Sequence, residues 1–204
     1  MRAKDIMTTP VVTVSPDDPV KKATRLLAEH GFTALPVVDE GDRVVGIVTE
    51  ADVVAGRVPP DARYRTGAAA APTTDARESV AEIMTTSPTC TQQGTDVAEL
   101  VGTLLEGHYR AVPVLAGSKL VGVVTRSDVV RALSRDDADI ARDVRRRLMV
   151  YGGPDRWSVV VDGGTVTVLD DHDDPTDRHV ATVLAESVPG VVRATVRHRS
   201  RDED

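Results

Sequence analysis

Apolar residues follow two different spacings along this chain, and the two spacings alternate in a regular order. Residues 19–31, "PVKKATRLLAEHG", carry apolar side chains every three or four positions, which predicts an amphipathic helix. Its apolar face comprises Val20, Ala23, Leu26 and Leu27. Pro19 suits the first turn of such a helix, and Gly31 is expected to end it.

Residues 33–49, "TALPVVDEGDRVVGIVT", instead contain two short apolar runs on either side of "DEGD". This arrangement predicts a β-hairpin. The following "EADVV" is expected to open a second helix, and the "DIMTTPVVTV" near the N-terminus is expected to lead into a short strand. The segment up to residue 56 therefore has the predicted order β-α-β-β-α.

The same order of elements is written a second time. Residues 6–38 align with residues 83–115 at an offset of 77, with ten of 33 positions identical. After a one-residue deletion, residues 43–54 align with residues 119–130, with seven of 12 positions identical. This agreement indicates one structural unit present in two copies.

The pattern changes after Leu133. In "SRDDADIARDVRRRLMV", Ile140, Val144 and Leu148 have the spacing of one helix face. "WSVVVDGGTVTVLD" alternates strictly around "DGG", which predicts a hairpin. "PTDRHVATVLAESVPG" predicts another helix, ended by Pro189 and Gly190, and "VVRATVRH" predicts a last strand. The order in this region is therefore α-β-β-α-β.

The predicted fold class is α+β, with two β-α-β-β-α repeats packed as a pair and a small C-terminal α-β-β-α-β module. We place the first repeat at residues 1–56, the second at residues 80–134 and the module at residues 136–200. Residues 57–79 are rich in Pro, Ala and Thr, and we expect them to be a linker between the repeats.

Composition and charge exclude several classes of function. The net charge of −7 argues against sequence-independent binding of nucleic acid. A single cysteine, Cys90, permits no internal disulfide and makes a cysteine-based zinc site implausible. Residues 1–10 contain no apolar core of a signal peptide, and no apolar run approaches the length of a membrane span. We therefore expect a cytoplasmic protein.

The repeated unit resembles the CBS domain, named after cystathionine β-synthase. The resemblance is carried by "DIMTT", by the strands "ALPVVD" and "AVPVL", and by "GIVTEAD" and "GVVTRSD". Two tandem copies look like a CBS pair, or Bateman module. The last module resembles a BON domain through "WSVVVDGGTVTVLD" and "VPGVVRATV". The first resemblance implies a sensor that binds AMP, ADP, ATP or S-adenosylmethionine, and the second implies a link to membranes or phospholipid.

The phrase Thr-x-x-Asp in both repeats has two interpretations. Thr49 and Asp52 are spaced as a capping box, in which a carboxylate three residues into a helix reaches back to the cap. The same helix start offers unpaired N–H groups and a hydroxyl to a phosphate, and the carboxylate suits the two hydroxyls of a ribose. Both Thr49/Asp52 and Thr125/Asp128 are present, in a repeat that differs at most other positions, which favours a role beyond capping.

The resemblance also implies that each site is shared between the two repeats. The first set then combines Thr49 and Asp52 with Thr85, Thr86, Tyr109, Arg110 and Ala111. The second set combines Thr125 and Asp128 with Thr8, Thr9, Val12, Phe32, Thr33 and Ala34. The sets differ because Arg110 corresponds to Thr33. A guanidinium favours an anionic phosphate, although Arg110 has the alternative of a solvated charge at a strand edge.

Other motifs carry less chemistry. Eight arginines of the C-terminal region make either a basic surface or an ordinary solvated helix face. They are Arg142, Arg145, Arg146, Arg147, Arg193, Arg197, Arg199 and Arg201. "DDHDDP" at residues 170–175 lies in a predicted turn, where no regular spacing would orient metal ligands. No nucleophile elbow, H-x-x-E-H motif or Walker loop is present.

The sequence therefore predicts a non-enzymatic regulatory protein that binds an adenosine nucleotide between its repeats, with no obligatory cofactor and no metal. The BON-like module would be the output or targeting element, and the pair would form a homodimer. The alternative is a scaffold or interaction protein with purely structural repeats, whose BON-like module associates, weakly, with a membrane.

Overall fold

The computed structural model describes residues 1–55, 57 and 78–199. The helices of this part are α1 (Val20–His30), α2 (Glu50–Val54), α3 (Val97–Glu106), α4 (Arg126–Leu133), α5 (Asp137–Gly152) and α6 (Pro175–Glu186). The strands are β1 (Ala34–Val38), β2 (Val44–Thr49), β3 (Thr85–Thr86), β4 (Thr91–Gln92), β5 (Ala111–Ala116), β6 (Lys119–Thr125), β7 (Trp157–Asp162), β8 (Thr165–Asp170) and β9 (Arg193–His198). The predicted linker at residues 57–79 lies almost entirely outside the described residues.

The helix and hairpin of each repeat form as the apolar spacing predicts. Helix α1 buries Val20, Ala23 and Leu27, and it ends at Gly31, whose φ of 65° is the left-handed conformation that glycine adopts without strain. Strands β1 and β2 pair antiparallel, and so do β5 and β6. Each hairpin has a register shift near its turn.

The lead-in strand of the repeats differs from the prediction. In the first repeat it is reduced to isolated bridges, one of them the parallel bridge between Val14 and Val37. In the second repeat it appears as the two-residue strands β3 and β4. Pro10 and Pro88 interrupt the two lead-ins, and proline has no N–H for a strand ladder.

Each lead-in pairs with the hairpin of the other repeat. Strand β3 runs antiparallel to β2, with Thr85 opposite Ile47. In the same way, the Thr8 N–H donates to the Val123 carbonyl at 2.9 Å, and the Thr8 carbonyl accepts from the Val123 N–H at 3.2 Å. A Cβ at Gly46 would lie 2.4 Å from the Met84 sulfur, so glycine is needed where the lead-in crosses β2.

The chain forms two compact units. One comprises residues 8–93 and 102–125, and the other comprises residues 1–7, 94–101 and the chain from residue 126 onward. One core cluster of the first of these units consists of Val14, Val20, Ala23, Leu27, Leu35, Val37, Val48, Val53 and Val80. No helix among the described residues is long and apolar enough to cross a bilayer.

Helices α5 and α6 pack with a three-stranded sheet in the C-terminal region. Strand β8 is central, antiparallel to β7 and parallel to β9. The three apolar residues predicted for α5 are fully buried: Ile140, Val144 and Leu148. Two predicted boundaries were wrong, because α6 ends at Glu186, before Pro189, and β9 begins only at Arg193. The turn between them is held by backbone hydrogen bonds such as Val191 N–H to Val188 C=O.

Candidate functional site

A pocket of about 320 Å³ opens beside the end of β2. Five residues of the first predicted set line it: Thr49, Thr85, Tyr109, Arg110 and Ala111. Ile47, Ser87, Pro88, Thr89 and His108 complete the lining. The pocket therefore brings together the end of one hairpin with the lead-in and the β5 start of the other repeat, within one compact unit. We refer to it as the Thr49 pocket.

Thr49 and Asp52 are joined as a capping box at the start of α2. The Thr49 N–H and the Thr49 hydroxyl both donate to Asp52 Oδ2, each at 2.7 Å. Asp52 and Thr86 do not line the pocket; Asp52 reaches it through Thr49, while Thr86 pairs with Gly46. The capping interpretation of Thr-x-x-Asp therefore applies to Thr49 and Asp52. The capping hydrogen bonds hold the Asp52 carboxylate next to Thr49, a lining residue of the pocket.

Tyr109 forms an aromatic wall of the pocket, and the turn before it is built to hold its ring. A Cβ at Gly107 would lie 2.1 Å from the Tyr109 ring, so the ring rests directly on the glycine backbone. The hydroxyl of Tyr109 accepts a hydrogen bond from Thr89 Oγ1 at 2.9 Å. His108 between them has a φ of 51°, a left-handed conformation that is uncommon for a residue with a side chain.

Arg110 is already paired in this structure. Its Nη1 lies 3.1 Å from Oε2 of Glu50, the first residue of α2, and both side chains are about half exposed, at 58% and 49%. The ion pair links the start of β5 to the residue that follows Thr49. The interpretation of Arg110 as a solvated charge at a strand edge therefore agrees with its exposure, but it does not account for the specific carboxylate partner of the guanidinium.

The lining residues that the sequence did not single out follow from chain pairing. Ser87, Pro88 and Thr89 come directly after β3, and β3 reaches the pocket because it pairs with β2. Ile47 lies opposite Thr85 in that pairing. The pattern "TTSPT" gave no signal of this contact, since the pairing joins segments about 40 residues apart along the chain.

The second predicted set divides between the two units, so its members are described unit by unit. In the unit that contains the Thr49 pocket, Thr125 ends β6 and lies opposite Ala111, just as Thr49 lies opposite Ala34. Thr8 bonds to Val123, two residues before Thr125. Thr9 is exposed, and the Thr33 carbonyl accepts from the Glu50 N–H at 3.3 Å.

Two apolar members of that set, Val12 and Phe32, are partly buried against the core of their unit. The Phe32 ring stacks on His30, with ring centroids 4.9 Å apart. His30 is the last residue of α1, so the stacking joins the end of that helix to the residue that follows Gly31.

Asp128 lies in the other unit, near the start of α4. Its side chain is only 2% exposed, and its Oδ1 lies 2.9 Å from Nη2 of Arg131. Together with Arg131 and Arg135 it lines a pocket of about 400 Å³. Asp5, Ile6, Met7, Ala132 and Pro189 complete that lining. This pocket therefore joins the N-terminal lead-in, α4 and the turn after α6 in a single site around a buried carboxylate.

In the predicted basic surface of the C-terminal region, three arginines pair with acids, and two others bond to a carbonyl and to a hydroxyl. Arg142 bonds to Asp139 at 2.6 Å, and Arg146 bonds to Asp143 at 2.9 Å. Arg145 donates to the Val159 carbonyl, Arg147 donates to the Ser187 hydroxyl, and Arg199 pairs with Asp171. Arg201 lies outside the described residues. Of the two interpretations of these arginines, an ordinary helix face with paired charges therefore fits α5 better than an open basic surface.

The family model of the CBS domain matches residues 3–57 and residues 80–135 of this chain. Inosine-5'-monophosphate dehydrogenase from Methanocaldococcus jannaschii is 27% identical over 150 residues, which cover 73% of this chain but only 26% of the dehydrogenase. The chain thus spans a minor part of that relative, and the dehydrogenase activity is not transferred with the similarity.

Two solved structures are similar to the same region. The structure of CBSX2 of Arabidopsis thaliana in complex with AMP matches with a TM-score of 0.53 and 30% identity, covering 64% of this chain and 94% of that chain. The CBS domain pair of protein MJ0100, in complex with 5'-methylthioadenosine and S-adenosyl-L-methionine, matches with a TM-score of 0.51 and 25% identity, again covering 64% and 94%.

Proposed function

The chain belongs to the CBS-domain family, and from that premise we propose that its CBS pair is a regulatory sensor of an adenosine-containing ligand. The ligand class is AMP, ADP, ATP or S-adenosylmethionine, and the protein acts without catalysis and without an obligatory cofactor. Similar CBS pairs supply the support: the structure of CBSX2 contains AMP, and that of MJ0100 contains 5'-methylthioadenosine and S-adenosylmethionine.

The observation that carries the proposal is the composition of the Thr49 pocket. Ligand pockets combine apolar and aromatic walls with a few convergent polar groups. Here Ile47, Ala111 and Tyr109 supply apolar and aromatic surface, and Thr49, Thr85 and Arg110 supply polar groups. A volume of about 320 Å³ lies in the range of small-ligand sites.

Each group of the pocket has a role in such binding. Tyr109 offers a ring face for the adenine, because aromatic rings stack on planar heterocycles. The Asp52 carboxylate lies behind Thr49 rather than in the lining, held by the two hydrogen bonds from Thr49, and it accepts from ribose hydroxyls that reach this edge of the pocket. The Thr49 hydroxyl and the Arg110 guanidinium face the remaining polar substituents of the ligand.

The pocket around Asp128, whose lining lies within one unit, is proposed as a second site of the same kind. Asp128 is buried and paired with Arg131, so a ribose there exchanges hydrogen bonds with that arginine. Helix α4, which carries Asp128, also touches the C-terminal module. Arg135 donates to the Pro189 carbonyl at 2.7 Å, and a Cβ at Gly190 would lie 3.0 Å from the Ala132 carbonyl.

This contact supports the BON-like module as the output element of the sensor. A ligand that favours one position of α4 biases the turn at Pro189 and Gly190, because packed elements shift between discrete arrangements. A homodimer formed through the CBS pair and a cytoplasmic location remain part of the proposal. Weak membrane association of the module is the alternative output, and the paired arginines of α5 weigh against its being strong.

The proposal is tested by thermal shift and isothermal titration of the full chain with AMP, ATP and S-adenosylmethionine, and with GMP for comparison. A ligand that binds only the native state raises the melting temperature by mass action, and we expect this for at least one adenosine ligand. Asp52→Asn and Asp128→Ala should each weaken binding at their own site by roughly 2–4 kcal/mol, through loss of charge-assisted hydrogen bonds.

Asp17→Ala is the matched control, because Asp17 is an exposed residue remote in sequence from both motifs. It should bind like the wild type. If no adenosine ligand shifts the melting temperature at millimolar concentration, the repeats are structural and the proposed function is wrong. If both aspartate variants bind like the wild type, the two carboxylates serve only as helix caps.

A further inference from the structure

Glu50 lies where it competes with any anionic ligand of the Thr49 pocket. It follows Thr49 directly, and its carboxylate lies 3.1 Å from the guanidinium of Arg110, a lining residue. The two residues are 60 positions apart in the chain, so the pair depends on the fold that builds the pocket. Arg110 is thus a lining cation that already has an internal anion as its partner.

We propose that Glu50 determines the ligand charge that this pocket accepts, so that adenosine ligands without phosphate bind it better than nucleoside di- and triphosphates. The inference rests on the proposed function and narrows it to a ligand class. Neutral adenosine and its thioether derivatives, and the cationic S-adenosylmethionine, belong to the favoured class. ATP belongs to the disfavoured class.

The charges around the pocket support this assignment. A phosphate that approaches Arg110 must share the guanidinium with Glu50 or take it from Glu50, and in either case it lies next to the Glu50 carboxylate. Asp52 places a second carboxylate against Thr49, so the start of α2 carries two acids next to a lining residue of the pocket. Like charges at short range oppose binding, and the opposition grows with each phosphate of the ligand. A neutral ribose or a sulfonium centre meets no such opposition.

The exposure of the ion pair sets the size of the effect. Both side chains are about half exposed, and exposed pairs are weak and screened by salt. Glu50 is therefore a competitor that a phosphate displaces at some loss of affinity, and it does not close the pocket. We expect the loss to be larger at low salt than at physiological salt.

The second repeat places the opposite charge at the corresponding position. Thr49-Glu50-Ala51-Asp52 corresponds to Thr125-Arg126-Ser127-Asp128. An acid directly after the threonine is therefore present in the first repeat only, and the Thr-x-x-Asp motif itself does not require it. Both helices keep an acid in the first turn, Asp52 in one and Asp128 in the other, which suits a helix N-terminus; the additional acid at Glu50 is therefore not needed for the start of the helix.

The test is isothermal titration of the full chain with adenosine, AMP and ATP, at low and at physiological salt. Glu50→Gln is compared with Glu40→Gln, which removes an exposed carboxylate from the β1–β2 turn. Glu50→Gln should raise the affinity for AMP about three- to tenfold, the scale of an exposed charge pair, and the affinity for ATP by more. Its affinity for adenosine, and every affinity of Glu40→Gln, should stay as in the wild type.

Two further variants assign the gain to this pocket. In an Arg110→Ala background, the gain from Glu50→Gln should shrink, because the guanidinium for which Glu50 competes is gone. In an Asp52→Asn background, the affinity for AMP at this pocket should weaken, and an affinity for AMP that stays as in the wild type there would place the bound AMP elsewhere and overturn the inference. An unchanged affinity for AMP in Glu50→Gln, or an equal gain for adenosine, would also overturn it, whereas an absence of binding by all three ligands would refute the proposed function itself.

Discussion

Gly107 and His108 show how a single exchange of residues remodels one pocket wall. The first repeat reads His30-Gly31 at the corresponding place, and Gly31 takes the left-handed conformation there. The second repeat reads Gly107-His108, so His108 takes that conformation instead, with a φ of 51°. Gly107 is thereby positioned beneath the ring of Tyr109. In the second repeat, His108 therefore adopts a conformation that is unfavourable for a residue with a side chain, and the Tyr109 ring packs on Gly107 as a wall of the pocket.

Gly107→Ala should therefore weaken ligand binding more than it weakens the fold. The new Cβ would lie 2.1 Å from the Tyr109 ring, so the ring must leave its position and lose the bond from Thr89. We expect a stability change of at most about 1 kcal/mol, the scale of one partly exposed hydrogen bond, and a clear loss of affinity for adenosine ligands. Thermal unfolding and isothermal titration measure the two effects.

Gly102→Ala is the control for that variant. Gly102 lies inside α3, and a Cβ there meets nothing within 4 Å. Alanine at such a helical site stabilises by about 0.5–1 kcal/mol, and ligand affinity should not change. If Gly107→Ala behaves in the same way as Gly102→Ala, the Tyr109 ring is not fixed by the glycine and is not a wall of the site.

The sequence left two interpretations of Asp52 open, and the reason is physical. A capping carboxylate and a ribose-binding carboxylate occupy the same place at the start of a helix. The bonds from Thr49 to Asp52 satisfy the first interpretation and are compatible with the second. Glu50, by contrast, gave no signal, because its partner Arg110 lies 60 positions away and only the fold brings the two together.

At the scale of elements, the C-terminal module is held by an ion network that joins Arg156, the residue before β7, to β8 and α6. Arg156 donates to both oxygens of the fully buried Asp170, at 2.7 and 2.8 Å, and to Asp177 at 2.5 Å. The Tyr151 hydroxyl donates to the other oxygen of Asp177 at 2.6 Å. The hydrogen bonds from Tyr151 and Arg156 hold the pKa of Asp177 below its usual range. Its carboxylate is thus stabilised in the charged form.

The module should consequently lose stability in acid. A carboxylate with a lowered pKa in the folded state takes up its proton more readily in the unfolded chain, so protons favour unfolding. The stabilisation is present at neutral pH and is lost as the pH falls below about 4, the ordinary pKa of aspartate. The hydrogen bond from Arg135 lowers the pKa of Asp143 in the same direction.

Trp157, the only tryptophan of the chain, reports on this module because it is 8% exposed. Urea unfolding followed by its fluorescence should show midpoints that fall between pH 5 and pH 3. Asp177→Asn should flatten this dependence, and Asp155→Asn, at an exposed position, should leave it unchanged. An equal pH dependence in the wild type and Asp177→Asn would exclude Asp177 as a source of the acid sensitivity.

Secondary-structure elements that depend on neighbouring residues could be predicted from the sequence. Strand pairings that depend on residues far apart in the chain could not. The alternation around "DEGD" and "DGG" sufficed for the hairpins β1–β2 and β7–β8, because turn chemistry and alternation act over a few residues. The pairing of β3 with β2 depends on contact between the two copies. The end of α6 was predicted too late, since the segment before Pro189 closes as a turn rather than as a further helical turn.

At the scale of the whole molecule, several apolar side chains remain exposed on the helices of the CBS repeats. Val54 of α2 is 56% exposed, and on α4 Val130 and Leu133 are 63% and 55% exposed. Helices α2 and α4 are the corresponding helices of the two repeats, because each begins directly after the threonine of a Thr-x-x-Asp motif. The exposure of apolar side chains therefore recurs in both copies of the unit. Recurrent apolar exposure on helices is typical of surfaces that associate with another protein.

We therefore expect a homodimer in which these helices are covered by a second copy of the chain. Light scattering coupled to gel filtration of the full chain, at tens of micromolar, should give twice the chain mass.

Val130→Glu should shift the protein toward the monomer, because a buried unpaired carboxylate opposes association. Val160→Glu is the matched control: Val160 is similarly exposed, at 59%, but lies on β7 of the C-terminal module. A wild-type monomer at that concentration, or equal dissociation by the two variants, would be incompatible with a dimer formed through the CBS pair.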